Sequence, residues 1–366
     1  MIVRDEARHL PACFASLKGI ADELVVVDTG SVDDSAAIAR DHGAKVLHHP
    51  WNDDFSAPRN VGLEHATGRW ILYIDADERL RPTDRSRVHA LLEKAPEIAF
   101  QVRLHPAGGY TPSLDYRLWR NDPRIRFRGV IHEKVIYSLE EAACEDGKSI
   151  GVCALALDHV GYEGDQTRKH QRNLPLLRAQ LAGEPDNIFN WRHLAQVLIG
   201  LGLPEEAERA LERAVALARD VRNEHGSVAW SDLVRLRRDR GEDVTELVAE
   251  GRARWPENWW LVWAEGQLHF EAGRHDEAIG CFQRLVEVDL RTLPFHGVAY
   301  DERIFGSFAH AAVGLALFRM GRYAEAAEAY AAAEHLEPEA PEYRVKRQLA
   351  ESKAPKASPQ AAPLVS

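Results

Sequence analysis

The sequence lacks the features that would place it in a membrane, outside the cell or on nucleic acid. No apolar run approaches the roughly 18 residues that a membrane-spanning helix needs, so we expect no transmembrane segment. The opening MIVRDEARHL has acidic residues where a secretory signal would continue its apolar core. Basic residues are outnumbered, with 46 Lys and Arg against 57 Asp and Glu, a formal net charge of −11. This charge argues against nucleic acid and anionic lipid as main partners, and we expect a cytoplasmic protein.

Cysteine is scarce and unpatterned. The four cysteines form neither a CxxC pair nor a Cys/His zinc spacing, which favours reduced thiols without a shared role. The 366 residues are enough for two or three domains, and 45% hydrophobic with 28% charged residues is typical of globular proteins. This composition excludes a coiled coil, a collagen-like chain and a wholly disordered chain.

The first 165 residues alternate between short apolar runs and helical periodicity. ELVVVDTGS, AKVLHH and WILYIDADE read as strands, with helical patterns between them. This rhythm predicts an α/β domain with an open, mostly parallel sheet whose ligands bind at the carboxyl ends of its strands. From about 98 to 160, four short segments predict antiparallel additions: AFQVRLHP, DYRLWRN, IRFRGVIHEKVIYS and SIGVCALALDHVGY.

Residues 166–340 are rich in Ala, Leu, Glu and Arg and carry internal repeats. Glycines at 202, 241, 273 and 321 align four helix-turn-helix units with spacings of 39, 32 and 48 residues. The tetratricopeptide period is about 34 residues, so two connections would be lengthened. An ordinary irregular helical domain is the alternative. The tail, 341–366, is predicted to be disordered because its end has no apolar periodicity.

The segment Asp75-Ala76-Asp77 is the sharpest chemical feature. It follows the apolar run 70–74, where a parallel sheet places its ligand site. Two carboxylates one residue apart can share a hard divalent ion, one directly and the other through water or a ribose. A diphosphate leaving group needs such an ion to neutralise its developing charge. The alternative is a solvated turn or helix cap that Glu78 continues.

Two further residues suit a nucleotide ligand. Asp28 ends the run VVV, where its carboxylate can accept hydrogen bonds from a base or ribose. Arg59 lies at a predicted helix start, where both its charge and the helix dipole favour a phosphate. The alternatives are a turn without a ligand for Asp28 and a salt bridge to neighbouring acids for Arg59.

Together these motifs resemble a known family. DTGS, WNDDFSAPRN and ATGRWILYIDADE, in this order, resemble a family 2 glycosyltransferase of GT-A fold, as do the later RLWRN, IRFRGVIHEKV and HVGY. The resemblance covers about 1–165. Similar proteins with tetratricopeptide repeats include peptide S- and O-glycosyltransferases, and others similar to the first half alone act on lipopolysaccharide core sugars.

The resemblance implies inverting transfer from a nucleotide-activated sugar, most often UDP-linked, with Mn²⁺ or Mg²⁺. By this resemblance Asp28 contacts the base, Arg59 lies in the donor pocket and Asp75 sits near the ribose. Asp77 becomes the direct metal ligand, and His159 a further ligand of the metal or diphosphate. A strand-end histidine bonded to backbone is the alternative for His159.

Inversion also needs a base that removes the acceptor proton. Glu133 is the candidate, because it follows an arginine-rich segment (Arg124, Arg126, Arg128) that can hold it ionised and help bind diphosphate. His132 would orient Glu133 or contact the acceptor. A structural salt bridge between Glu133 and those arginines is the alternative.

The predicted function is therefore a metal-dependent glycosyltransferase whose repeats present a protein or peptide acceptor. One alternative is an acceptor that is a cell-envelope glycan or lipid-linked glycan, with the repeats serving docking or homo-oligomerisation. Another is a non-catalytic repeat scaffold with a degenerate transferase domain. The sequence departs from the family twice: Asp5 stands where Asn is common, and several residues usually precede the segment MIV, so we expect a natural start upstream of Met1.

Overall fold

A computed structural model describes residues 1–161, 166–293 and 298–355. Predicted transferase residues 162–165 and the end of the tail, 356–366, lie outside these ranges. The chain divides into two compact units, the first consisting mainly of Met1–Ala229 and the second mainly of residues from Trp230 onward. Within the described ranges, no helix combines the length and apolarity that a membrane span requires.

The first unit begins with a small parallel sheet. Its order is β1-β2-β3, and Val27 of the central strand pairs with Ile2 on one side and Leu47 on the other. Val26 and Val27 are fully buried, as expected for β-branched residues of a covered parallel strand. The elements are β1 (Ile2–Val3), α1 (Leu10–Leu17), β2 (Val25–Asp28), α2 (Ser35–Asp41), β3 (Lys45–His48) and α3 (Ser56–His65).

A second, mixed sheet of five strands follows, in the order β4-β7-β6-β8-β5. The prediction that the run WILYI continues the parallel sheet is wrong, because β4 pairs antiparallel with β7, with Ile71 opposite Trp119. Apolar content marks a strand but not its direction, which its distant partner decides. The predicted antiparallel addition is confirmed for β6 with β7. It is wrong for β8 with β6, which pair parallel, although β8 pairs antiparallel with β5 on its other side. The elements are β4 (Trp70–Leu72), β5 (Glu78–Leu80), α4 (Arg85–Lys94), β6 (Ala99–Pro106), β7 (Ser113–Arg120) and β8 (Ile150–His159).

The predicted extended segment IRFRGVIHEKVIYS is only partly extended. It forms a loop closed by a single bridge between Arg128 and Lys134, and its end begins α5 (Ile136–Asp146). Leu139, Ala142 and Ala143 are buried at helical spacing, a signal that the strand prediction overlooked. We call residues 121–135 the Glu133 loop.

The remaining helices confirm the predicted α/β domain followed by an all-helical domain. The glycines at 202, 241, 273 and 321 each lie between two successive helices, with φ between 73° and 77°. A residue with a Cβ rarely adopts this backbone conformation, which explains the recurrence of glycine at each turn. The helices are α6 (Thr167–Gly183), α7 (Ile188–Gly200), α8 (Pro204–Asp220), α9 (Glu224–Asp239), α10 (Thr245–Arg254), α11 (Trp259–Glu271), α12 (His275–Val286), a short 3₁₀ turn (Glu302–Phe305), α13 (Ser307–Arg319), α14 (Tyr323–Leu336) and α15 (Pro341–Lys353).

The last of these helices corrects the predicted tail. Residues 341–353 form α15, with Pro341 in the first turn, where its fixed φ suits a helix start. Tyr343 and Ala350 are buried, and α15 packs against α14. The helix therefore has an apolar face to cover, which the polar composition of the tail obscured.

Glycine also permits close packing inside the repeats. A Cβ at Gly266 of α11 would lie 2.7 Å from Phe282 Cε1 and 3.0 Å from Cys281 Cβ, both on α12. A Cβ at Gly280 of α12 would meet no atom within 4 Å. We therefore expect Gly266→Ala to destabilise the protein by about 1–3 kcal/mol through overpacking. Gly280→Ala should stabilise it by about 0.5–1 kcal/mol through helix propensity.

Chemical denaturation followed by circular dichroism measures both changes. Equal effects of the two substitutions would contradict the packing described for α11 and α12.

Candidate functional site

Arg59 joins two of the predicted site residues from distant parts of the chain. It lies in the first turns of α3, and its side chain is 9% exposed. Its Nη1 donates to Asp75 Oδ1 at 3.0 Å, and its Nε donates to Glu133 Oε1. The guanidinium carbon lies 4.5 Å from the centre of the Tyr73 ring. The structure thus brings Arg59, Asp75 and Glu133 into one contact group, with one cation between two carboxylates.

Asp75 is committed to protein partners. Beyond Arg59, its Oδ2 accepts a hydrogen bond from the Tyr73 hydroxyl at 2.9 Å and lies 3.8 Å from Arg117 Nη1. Burial by itself raises the pKa of Asp75, but the charges of Arg59 and Arg117 outweigh it and hold this pKa well below its usual range. The carboxylate is therefore ionised, and the two arginines balance its charge. These contacts differ from the expectation that Asp75 and Asp77 share a divalent cation.

Asp77 faces a different partner, His159. Asp77 Oδ2 lies 3.2 Å from His159 Nε2, and each side chain is 18% exposed. The pairing of β5 with β8, which sets Glu78 opposite His159, brings these residues together. Burial raises the pKa of Asp77, but the hydrogen bond and the charge of His159 together outweigh it, so the pKa lies below its ordinary value.

The backbone at Gly161 encloses Asp77 on one side. A Cβ at this position would lie 1.8 Å from Asp77 Oδ2, so the chain can approach the carboxylate this closely only as glycine. Val160 N also donates to the Asp77 carbonyl at 2.9 Å. The carboxylate is thus fixed by its backbone neighbours as well as by His159.

The chemistry of Asp77 and His159 fits a divalent cation that is shared with a ligand. One carboxylate and one imidazole are suitable donors, and both are accessible to solvent. Among the described residues, no group of three or more His, Cys, Asp or Glu side chains could hold a metal alone. Mg²⁺ is commonly held in this way, by one or two carboxylates and the phosphates of a substrate.

Asp28 lies where the sequence placed it, at the end of β2. The side chain is buried, its Oδ1 accepts from Ser31 N at 2.9 Å, and its Oδ2 lies 3.3 Å from His48 Nδ1. Asp5 supports the same turn, since its Oδ1 accepts from Val32 N at 2.8 Å and its backbone has a φ of 57°. Hydrogen bonding within the turn thus accounts for both of these acids.

The arginine-rich segment has partners other than Glu133. Arg128 is half-exposed and forms an ion pair with Glu141 of α5 at 2.5 Å, while Arg124 pairs with Asp122 at 2.6 Å. Glu133 instead pairs with Arg59, so the expectation that Glu133 pairs with this segment is wrong. In the sequence, any nearby arginine could supply the positive charge expected beside Glu133. Only the tertiary fold decides which arginine contacts it.

Sequence analysis missed a buried ion pair beneath the site. Glu78, expected to continue a polar turn, is only 1% exposed and pairs with Arg117 Nη2 at 2.8 Å. Burial raises the pKa of Glu78 to about 7, opposed by the Arg117 charge. The guanidinium carbon of Arg117 also lies 4.3 Å from the centre of the Tyr73 ring, which Arg59 contacts as well. The available sequence signal was an arginine between Tyr116 and Leu118, inside a run that predicts a strand.

His132 and Glu133 have different partners although they are adjacent. The His132 ring lies 4.1 Å from the His193 ring and 5.3 Å from the Phe189 ring, both on α7. Its Nε2 is buried without a hydrogen-bond partner. Burial, with the charges of Lys134 and Arg192, lowers the pKa of His132 to about 4.

Comparison with known proteins agrees with this organisation. Residues 1–157 match the family model of glycosyl transferase family 2. Residues 191–221 and 312–347 match tetratricopeptide repeat models. The chain carries a family 2 glycosyltransferase domain followed by tetratricopeptide repeats.

Two curated relatives each align with more than half of this chain. A TPR repeat-containing protein of Synechococcus elongatus is 39% identical over 227 residues, which cover 60% of this chain and 56% of the relative. The glycosyltransferase SunS of Bacillus subtilis is 26% identical over 196 residues, covering 51% of this chain and 45% of the relative. This chain thus spans about half the length of these relatives.

Solved structures match this chain only loosely. MamA aligns with 53% of this chain and 99% of its own at 16% identity and a TM-score of 0.35. YrrB, described as a TPR protein with an unusual peptide-binding site, aligns with 48% of this chain and 82% of its own at 14% identity and a TM-score of 0.35. These scores lie below 0.5 and add nothing to the assignment.

The lowered pKa of His132 predicts a pH dependence of stability. Between pH 6.5 and 4, His132 is protonated in the unfolded chain but neutral in the folded chain. The free energy of unfolding should therefore fall as the pH falls through this window. His132→Gln should remove up to about 3 kcal/mol of that fall. Urea unfolding at several pH values measures it, with exposed His335→Gln as the control. Parallel pH profiles for wild type and His132→Gln would refute the burial of a neutral ring.

Proposed function

We propose that this protein is an inverting glycosyltransferase that moves a sugar from a UDP-linked donor to a protein or peptide acceptor. The observation that carries the proposal is the division of charges in the family 2 domain. Arg59 binds Asp75 and Glu133, while Asp77 and His159 form a separate, accessible pair. This division supports separate roles for these residues in donor binding, leaving-group stabilisation and proton removal.

Asp77 and His159 would hold Mn²⁺ or Mg²⁺ together with the donor diphosphate. When bound, the ion neutralises the charge that develops on the departing diphosphate. Asp28 lies at the carboxyl end of β2, where its carboxylate can accept hydrogen bonds from the base. Asp75, oriented by Arg59 and Tyr73, would contact the ribose. A donor phosphate reaching Arg59 would compete for the same guanidinium as Asp75.

Glu133 would accept the proton of the acceptor nucleophile. Its carboxylate is mostly buried, and Oε1 is bound to Arg59, so we assign proton acceptance to Oε2. A general base must be ionised and within hydrogen-bond reach of the proton it removes. The acceptor would have to approach the exposed edge of this carboxylate, because Arg59 occupies Oε1.

The tetratricopeptide repeats support a polypeptide acceptor. Stacked helix pairs create extended surfaces that contact other chains, and the SunS relative carries the name of a glycosyltransferase. A lipid-linked or envelope glycan is the competing acceptor class. Intact-mass analysis of candidate peptides and lipid-linked glycans, each with the preferred donor, distinguishes them: mass added to a peptide supports the proposal, and transfer to glycans alone overturns its acceptor.

A donor screen scored by nucleotide release tests the transferase assignment. We expect UDP-sugar turnover with Mn²⁺ or Mg²⁺ and a fall of at least about 100-fold in Asp77→Asn, because leaving-group stabilisation is lost. Asp158→Asn is the matched control, since Asp158 precedes His159 on β8 and forms a partly exposed ion pair with Arg81. No release from any nucleotide sugar by the wild type would overturn the proposed activity.

Replacement of Glu133 separates the chemical step from donor binding. Glu133→Gln should lower kcat for transfer by about 100- to 10,000-fold, the usual contribution of a general base, while UDP affinity stays within threefold. Glu145→Gln removes a carboxylate from the exposed Arg124 ion pair and serves as control. A Glu133→Gln enzyme with wild-type kcat would exclude Glu133 as the base.

A further inference from the structure

We infer that helix α7, in the first repeat, positions Glu133 by holding the residues on either side of it, which makes Phe189 and His193 positioning residues of the transferase. This inference rests on the proposed role of Glu133. All of the residues concerned belong to the first compact unit. The repeats would then contribute to the chemistry of the transferase as well as to acceptor binding.

The backbone at His132 needs outside support. Its φ of 51° lies in the left-handed region, which is unfavourable for a residue with a Cβ. Such a conformation persists only where surrounding contacts fix it. Because Glu133 follows directly, the direction of its side chain depends on whether this conformation is kept.

Phe189 contacts both neighbours of Glu133. Its ring lies 5.3 Å from the His132 ring at an interplanar angle of 85°, and Lys134 Nζ lies 4.3 Å from its centre. The edge-to-face ring contact and the cation–π contact are both favourable geometries. One side chain of α7 therefore contacts the residues before and after Glu133, whose own side chain is bound to Arg59.

His193 completes this contact surface. Its ring lies 4.1 Å from the His132 ring and stacks on Phe189, also at 4.1 Å and at an angle of 29°. Its Nδ1 lies 3.1 Å from the Phe189 carbonyl oxygen, one turn earlier in α7, which fixes the ring on this face of the helix. Phe189 is braced in turn by His225 of α9, with ring centres 4.8 Å apart.

The opposite side of the Glu133 loop is attached to α3. Ser56 Oγ donates to the Gly129 carbonyl at 2.6 Å, and Phe55 N donates to the Val130 carbonyl at 2.9 Å. The Asn60 side chain donates through Nδ2 to the Phe127 carbonyl and accepts from Phe127 N through Oδ1. These bonds fix the early part of the loop to the helix that carries Arg59. Contact with α7 then determines where the later part, with Glu133, comes to lie.

Truncating Phe189 tests the inference. In Phe189→Ala we expect kcat for transfer to fall at least tenfold while the donor KM stays within twofold, because the base is displaced and the donor site is intact. Phe189→Tyr keeps the aromatic ring and should retain the wild-type kcat. His132→Asn, which tolerates the left-handed backbone but lacks the ring, should behave as Phe189→Ala does. Val197→Ala, a truncation of a buried residue on the same helix, is the control.

Hydrogen exchange of residues 127–135 provides a readout that does not depend on activity. Exchange should rise at least tenfold in Phe189→Ala and His132→Asn and stay at the wild-type level in Val197→Ala. Wild-type exchange and kcat in Phe189→Ala would overturn the inference, as would equal effects of Val197→Ala. If the wild type transfers no sugar but exchange rises as expected, the proposed function fails while the contact of α7 with the loop stands.

Discussion

The site depends on one buried cation, the guanidinium of Arg59. Removing a charge from water costs several kcal/mol unless partners replace the lost hydration. Asp75 and Glu133 supply that replacement, and Tyr73 covers one face of the guanidinium. Burial lowers the pKa of Arg59, but the carboxylates outweigh it and raise this pKa well above its usual value. Three distant segments are thus tied together by a charge that cannot be left without its partners.

A consequence is that neighbouring acids have separate tasks. Asp75 is neutralised by arginines, whereas Asp77 has only a histidine as its side-chain hydrogen-bond partner among those described here, and both side chains of that pair reach solvent. Beneath them, Glu78 and Arg117 form a second buried ion pair that also contacts the Tyr73 ring through Arg117. Breaking such a pair leaves a buried charge without a partner, so the contacts of Glu78 and Arg117 fix the geometry of the site. The outer pair, Asp77 and His159, is available for a ligand.

Local patterns were enough to predict most elements and to single out candidate acids, but not the partners of those acids. The valine run before Asp28 and the glycine turns of the repeats depend on short-range preferences that a sequence displays. The direction of β4 depends on β7, more than 40 residues later. Likewise Glu133 is separated from Arg59 by 74 residues, and Glu78 from Arg117 by 39. Charge and composition identified candidates at each place, and only the tertiary fold selected among them.

Binding of Mn²⁺ in the presence of UDP, followed by electron paramagnetic resonance, tests this separation of tasks most directly. We expect Asp77→Asn and His159→Gln each to weaken Mn²⁺ binding by at least about tenfold. Asp75→Asn, checked for folding by its thermal unfolding, should retain affinity within about threefold. Wild-type Mn²⁺ affinity in both Asp77→Asn and His159→Gln, or its loss in a folded Asp75→Asn alone, would contradict the assignment of the cation to the outer pair.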